Sequence, residues 1–505
     1  MTKGPFVAPF FLENFMKKRN VILLASLLVI ASCSTWWSGG NNGRKTASES
    51  AASVDVLEKS RLILDKVATR EINPETCSAE LDGLIADYSN APAQINLDVV
   101  KAMGQEILDQ SFDARLALHS MLDVLPDNCK AKVRVLFLKM RLTEDFVGVH
   151  FYDDEQISAE SIKYQEGPVP VYEADKFRPY HVGKGIDPKA KFEFKNGDIM
   201  ITKGVSFISS TISELASPKS LFSHIVFIHV DEKTKEVSTI ESYVGKGVSI
   251  FPIEEALKNE NSRIVILRAR DQEMASNAAD YMYDRVTKLK AKGKVIYYDY
   301  NLDFTDNTTM SCEEVAYDAF KTVSNGTVII PEKESMIELD DPKFLKRVGV
   351  KKGSMMVPTD METDSRFEIM LDWTDYRVMR DSWRKDALLG EMFRWIGEHK
   401  YKIHENLTSI AAKAIWSTRN IPGLWAMLSK VSGIPKDFTK DVPGLTISTI
   451  ASLKAIGNEL LPVVTSADKE FYAKRGKWMT KEELGHALEE FRKTKPKKLN
   501  KVFRP

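Results

Sequence analysis

The feature that most constrains the fold is a change of apolar period along the chain. From about residue 54 to 149, apolar residues recur at helical spacing: Val56, Ile63 and Val67 form one stripe, and Val99, Met103 and Ile107 a second. Val133, Leu136, Phe137 and Met140 form a third after Pro126. From about residue 192 the pattern turns to short apolar runs bounded by turn residues, so segments 192–202, 223–230, 237–243, 263–269 and 294–298 are predicted strands. One helix, 274–289, interrupts them with Ala278, Met282 and Val286 on one face. Beyond about residue 364 the helical period returns. There Trp373, Trp383, Trp395, Trp416 and Trp425 are spread over amphipathic segments, as core side chains are. The expected class is α+β, with a mixed domain at 190–350 between a helical domain at 54–165 and a helical region at 364–505.

The first 33 residues are a processing signal rather than fold. Met16-Lys17-Lys18-Arg19 is basic, and residues 21–30 are an apolar run of signal-peptide length, too short to cross a bilayer comfortably. Ile30-Ala31-Ser32-Cys33 is similar to a bacterial lipobox, which implies cleavage before Cys33 and acylation of that residue; a plain secretory signal or membrane anchor is the competing reading. Ser34 follows where inner-membrane lipoproteins carry Asp, so the resemblance implies an outer-membrane lipoprotein facing the periplasm. Residues 34–53, rich in Gly, Asn, Ser and Ala, read as a flexible tether. No other run approaches a membrane-spanning length.

Charge excludes one class of function. Lys+Arg and Asp+Glu both number 71, so the basic excess of a nucleic-acid-binding protein is missing. Cysteine usage narrows another. Of the four cysteines, Cys77 and Cys129 share the N-terminal region, where they either pair in an oxidising compartment or remain two buried thiols. Cys312 is then left over, and a single thiol in an exported protein needs an explanation.

Local sequence supplies one. Ser311 is a good N-cap, Glu314 follows three positions later, and Val315, Ala316, Ala319 and Phe320 continue at helical spacing, which places Cys312 in the first turn of a helix. The helix dipole there favours a thiolate, the nucleophilic form. The alternative is a small buried core residue. A nucleophilic thiol needs a base, and the base needs an orienting group. His224 opens a predicted strand, whereas His229, five residues on, points to the opposite face and cannot serve the same site. Glu241 lies in the next strand among apolar neighbours, where a buried carboxylate needs a partner; His224 across the hairpin is the natural one, and an edge-facing Glu in water is the alternative. No HExxH motif or clustered Cys/His spacing occurs, so no metal or cofactor is expected.

Taken in order, Asn196-Gly197-Asp198-Ile199, Ser223-His224-Ile225-Val226, Ile240-Glu241-Ser242, and Ser311-Cys312-Glu313-Glu314-Val315 resemble the permuted papain-like cysteine hydrolases of the YiiX type, relatives of NlpC-type peptidases and of lecithin retinol acyltransferase. The resemblance covers residues 192–335. It implies an antiparallel sheet packed on helices, Cys312 as nucleophile, His224 as base, Glu241 as orienting group and a structural role for Asp198. Tyr297, Tyr298 and Tyr300 would line the substrate pocket. The substrates implied are peptidoglycan peptides or lipid-like acyl groups at the envelope; the alternative is a binding module without activity.

Overall fold

The structure is a computed structural model that describes residues 55–152 and most of 162–504. The signal segment, Cys33 and the tether lie outside the described residues.

Asp55 begins the order by accepting the Leu57 and Glu58 amides, which caps α1, Val56–Ala68. Next come α2, Cys77–Ser89, α3, Leu97–His119, and α4, Asp127–Phe151. A disulfide joins Cys77 to Cys129, the first residue of α2 to the start of α4. The Val133, Leu136, Phe137 and Met140 stripe is completely buried. Of the expected α3 stripe Ile107 is buried, whereas Val99 and Met103 are exposed; Val100, Gly104 and Leu108 share the inward face with Ile107. Met103 leaves helical geometry (φ −132°, ψ 15°) beside Gly104.

A seven-stranded antiparallel sheet follows. Its strands are β1, Tyr180–Val182; β2, Ile199–Gly204; β3, His224–Val230; β4, Val237–Tyr243; β5, Gly247–Pro252; β6, Asn261–Ala269; and β7, Phe367–Thr374. Their order across the sheet is β1-β7-β6-β2-β3-β4-β5. Helices α5, Phe207–Leu215, α6, Gln272–Ala291, and α7, Cys312–Val323, precede β7 in the chain; α8, Tyr376–His399, α9, Leu407–Ser417, α10, Gly444–Arg475, and α11, Lys481–Thr494, follow it. The protein is therefore mixed α+β, with an antiparallel sheet among helices. The sheet does not keep to residues 190–350, since β1 precedes and β7 follows that range. Segment 294–298 forms no strand: it makes a single bridge, Tyr297 to Thr309, because its carbonyls serve Gly247–Val248 and Met310 rather than a ladder.

Both faces of the sheet are buried. Ile199, Ile201, Ile225, Phe227, Ile240, Val265 and Leu267 join one apolar cluster that runs from Val56 through the sheet to Phe503. Met200, Val226, Ile228, Ile264 and Ile266 join a second on the opposite face. In β7 the register shifts between Ile369 and Leu371, so Ile369 enters the first cluster and Leu371 and Trp373 the second. The bulge turns Asp372 toward the N-terminal helices, where it meets Arg115 at 2.6 Å and Arg141 at 3.0 Å. Glu362 binds the same two arginines, Glu144 binds Arg115 at 2.9 Å, and Arg263 of β6 binds Asp145. Burial alone would raise the Asp372 carboxyl, but Arg141 and Arg115 hold it well below the ordinary range.

The C-terminal helices are fastened similarly. Asp468 of α10 binds Arg380 and Arg384 of α8, and Lys203 of β2 binds Asp386 at 2.8 Å. Of the tryptophans, Trp373, Trp383, Trp395 and Trp416 are buried and Trp425 is half-buried. Helix α10 is long and apolar enough to cross a membrane by length and composition, which the reading of apolar runs missed; half of that apolar window is buried inside the protein.

Arg141→Met should lower the unfolding free energy by about 3–5 kcal/mol in urea titrations, since it leaves Glu362 and Asp372 undercompensated in a dry site. The paired Arg141→Met/Asp372→Leu variant should lose less, and an equal or greater loss would argue against charge pairing as the cause.

Candidate functional site

The segment leading into α7 is held against the sheet by two hydrogen bonds. Ser242 of β4 donates its hydroxyl to the Met310 carbonyl at 2.5 Å. The Val248 amide donates to the Ile296 carbonyl at 2.9 Å. This approach requires a glycine: Gly247 has φ +71°, and a Cβ there would lie 2.1 Å from the Ile296 oxygen. Helix α7 then starts as expected. The Ser311 amide donates to the Glu314 carboxylate at 2.6 Å, and Ala316, Ala319 and Phe320 pack inward, Phe320 against Phe227 of β3.

Cys312 is thus delivered to the start of β3. It is 3% exposed and is the free cysteine of the described chain. Its thiol donates to Oε2 of Glu313 at 3.2 Å, and the Ile225 amide, one residue beyond His224, also reaches the sulfur. Burial pushes the thiol well above its ordinary range, the Glu313 charge adds to that, and the Ile225 amide opposes it. The helix end favours a thiolate as expected, but burial outweighs it in the resting site. A helix terminus contributes about 0.3–1 kcal/mol, whereas removing a charge from water costs several. Burial also raises Glu313, with His224 among the charges that lower it, and pushes Glu314 up to about 8 with help from Asp299.

His224 and Glu241 meet across the β3–β4 hairpin. The imidazole Nε2 lies 2.9 Å from Oε2 of Glu241, a carboxylate that is 1% exposed. Two further donors complete that carboxylate: Tyr243 hydroxyl to Oε2 and Thr239 hydroxyl to Oε1, each at 2.5 Å. Tyr243 also stacks on His224, with ring centroids 4.9 Å apart. Because a carboxylate only accepts, Nε2 carries the proton and Nδ1 of the neutral ring is left as an acceptor. His229 lies on the other face, stacked on Tyr283 of α6 at 3.8 Å.

Asp198 accepts both arms of Arg268, each at 2.8 Å, an arrangement that ties β2 to β6. The three tyrosines separate. Tyr298 feels the Cys312 and Glu313 charges and packs edge-on to Tyr300 at 5.0 Å. Tyr297 is 42% exposed, and Tyr300 packs into a cluster with Trp416, Val442 and Phe438. A cavity of about 330 Å³ lined by Asn301, Leu339, Pro342, Leu345 and Val350 includes none of Cys312, His224 and Glu241.

Sequence reasoning gave no role to Thr239, Tyr243 or Glu313. The first two were readable, because residues 239, 241 and 243 of one strand share a face. Glu313 was not, because an acid in the first helical turn is ordinary. Among the described residues, no group of three or more His, Cys, Asp or Glu is placed to hold a metal ion. No family model matches the chain, and no curated protein matches it.

Glu313→Gln should lower the pH at which Cys312 reacts with iodoacetamide in the folded protein, since it removes the nearby negative charge that opposes thiolate formation. The pH profile of alkylation checks this. A midpoint that stays or rises would show that burial alone governs the thiol.

Proposed function

We propose that the chain is a cysteine hydrolase of the cell envelope with a permuted papain-like catalytic domain. The observation that carries this reading is the His224–Glu241 pair, held by Thr239 and Tyr243 at the mouth of the strand whose next amide meets the Cys312 sulfur. A buried carboxylate with three donors fixes one tautomer of one imidazole, which is what a general base requires and what packing alone does not.

The chemistry follows from the groups present. Nδ1 of His224 takes the Cys312 proton as substrate enters, and the thiolate sulfur attacks the carbonyl carbon of an amide or ester. Backbone N–H groups at the start of α7 stabilise the oxygen that becomes negative. As the tetrahedral adduct collapses, the imidazolium protonates the departing amine or alcohol and an acyl-thioester remains on Cys312. Water, deprotonated by His224, then releases the acid and restores the thiol. A resting thiol kept neutral by burial suits this order, since the proton leaves only when a base and an electrophile are both in place. Glu313, which accepts the thiol proton in the free protein, must yield its place to the imidazole.

The lipobox resemblance at Cys33 supports a lipid-anchored protein at the outer membrane, and peptidoglycan peptides or lipid-like acyl groups as the substrates within reach. A binding module without activity is the second reading. What favours it is the burial of Cys312, 3% exposed with its thiol already engaged by Glu313.

A thiol-directed acyl probe separates the two. Labelling should be lost in Cys312→Ser and fall about 10²–10⁴-fold in His224→Ala, the range of a lost general base. Glu241→Gln should lower labelling while the fold is kept, and a native melting profile verifies the latter. Equal labelling of the parent and His224→Ala would remove the enzyme reading and leave the binding module.

A further inference from the structure

Among the described residues, eleven large apolar side chains are exposed, and four of them, Ile410, Ile421, Leu424 and Met427, fall within one stretch. The inner side of that stretch is fixed. Trp416 is buried, donates its indole N–H to the Val442 carbonyl at 2.8 Å and packs edge-on to Trp425 at 5.4 Å. Tyr300 and Phe438 belong to the same cluster, and the Thr439 amide donates to the Gly245 carbonyl at 2.6 Å, two residues beyond Tyr243. The outer side carries the bare apolar chains together with exposed Lys413. Charge identifies what it faces. Residues 406–436 contain no Asp or Glu, although at the chain's average of 71 in 505 a stretch of that length would hold about four. The same residues contain Lys413, Arg419, Lys430 and Lys436.

Exposed apolar side chains with cations and no carboxylates are the composition of an interfacial membrane element. A partner protein surface would not require the exclusion of acids over so long a stretch, whereas an anionic bilayer repels each one. We propose that the surface formed by Ile410, Lys413, Ile421, Leu424 and Met427 docks onto an anionic lipid bilayer, independently of any activity at Cys312. Docking there brings the membrane beside the loop that follows Tyr243, and so beside His224.

A local reporter tests this in the full chain carrying Cys33→Ser and Cys312→Ser, where Cys77 and Cys129 are paired and the introduced cysteine is the thiol that is labelled. An environment-sensitive fluorophore is attached through Met427→Cys or, as control, through Val124→Cys, an equally exposed apolar position in the turn between α3 and α4 (60% and 62%). With vesicles of phosphatidylglycerol and phosphatidylethanolamine, emission should shift to the blue at 427 and stay unchanged at 124, and phosphatidylcholine vesicles should give a weaker response. Ile421→Glu/Leu424→Glu, changes at exposed positions, should weaken the titration by at least about tenfold. Failure of the 427 reporter to shift, equal shifts at both sites, an unchanged titration in the double variant, or a shift that depends on protein concentration without vesicles, as a second copy would cause, each overturns the proposal.

Discussion

The arrangement depends on a buried ionic cluster. Arg115 and Arg141 of α3 and α4 share Glu144, Glu362 and Asp372, and Arg263 joins Asp145 beside them, all nearly sealed from water. Any one of these charges alone would cost several kcal/mol in that environment. Together they tolerate only one relative placement of the N-terminal helices, the turn near residue 360 and the end of β7. Such clusters contribute less to stability than apolar packing of the same volume would. What this one supplies is registry: it fixes helices drawn from the N-terminal part of the chain against β7, and Tyr152, just after α4, stacks at 5.2 Å on Tyr376, the first residue of α8.

That fixed frame gives the candidate site its character. The His224–Glu241 pair sits on a hairpin whose neighbours on both sides are themselves in the sheet, so the imidazole has little freedom to turn. The sulfur is held by the other partner, a helix packed against the same two strands. Its chemistry in the resting protein is decided by competition between four effects. Burial and Glu313 favour the thiol, and the helix end with the Ile225 amide favours the thiolate; burial prevails because desolvating an ion outweighs a helix terminus severalfold.

Much of this was legible in residues. The Ser311–Glu314 cap, the strand that begins at His224, and the need of Glu241 for a partner all follow from local chemistry, and the structure contains each. The strand at 367–374 was equally legible, with Phe367, Ile369, Leu371 and Trp373 alternating with Glu368, Met370 and Asp372, but the run of tryptophans after it drew the segment into a helical region. One feature was beyond reach. The bulge between Ile369 and Leu371 has no sequence mark, yet it decides that Asp372 points into the cluster of arginines. The kink at Met103, by contrast, stands beside Gly104, a residue that weakens a helix interior. The assignment of 294–298 as a strand failed for a different reason: an apolar, β-prone run passes over Gly247 at the edge strand β5 and meets it through one hydrogen bond, Val248 amide to Ile296 carbonyl, rather than through a ladder.

The position of β7 between β1 and β6 bears on how the chain matures as it emerges. Every other strand of the sheet, and the helix bearing Cys312, is translated before residue 367 exists. Until then β6 is a bare edge with unpaired backbone groups, the kind of edge that recruits foreign strands. Until β7 arrives, that edge has to stay unoccupied for the sheet to close correctly. Once β7 inserts, the bulge carries Asp372 to its arginines in the same movement, so closure of the sheet and docking of the N-terminal helices become a single late event rather than two.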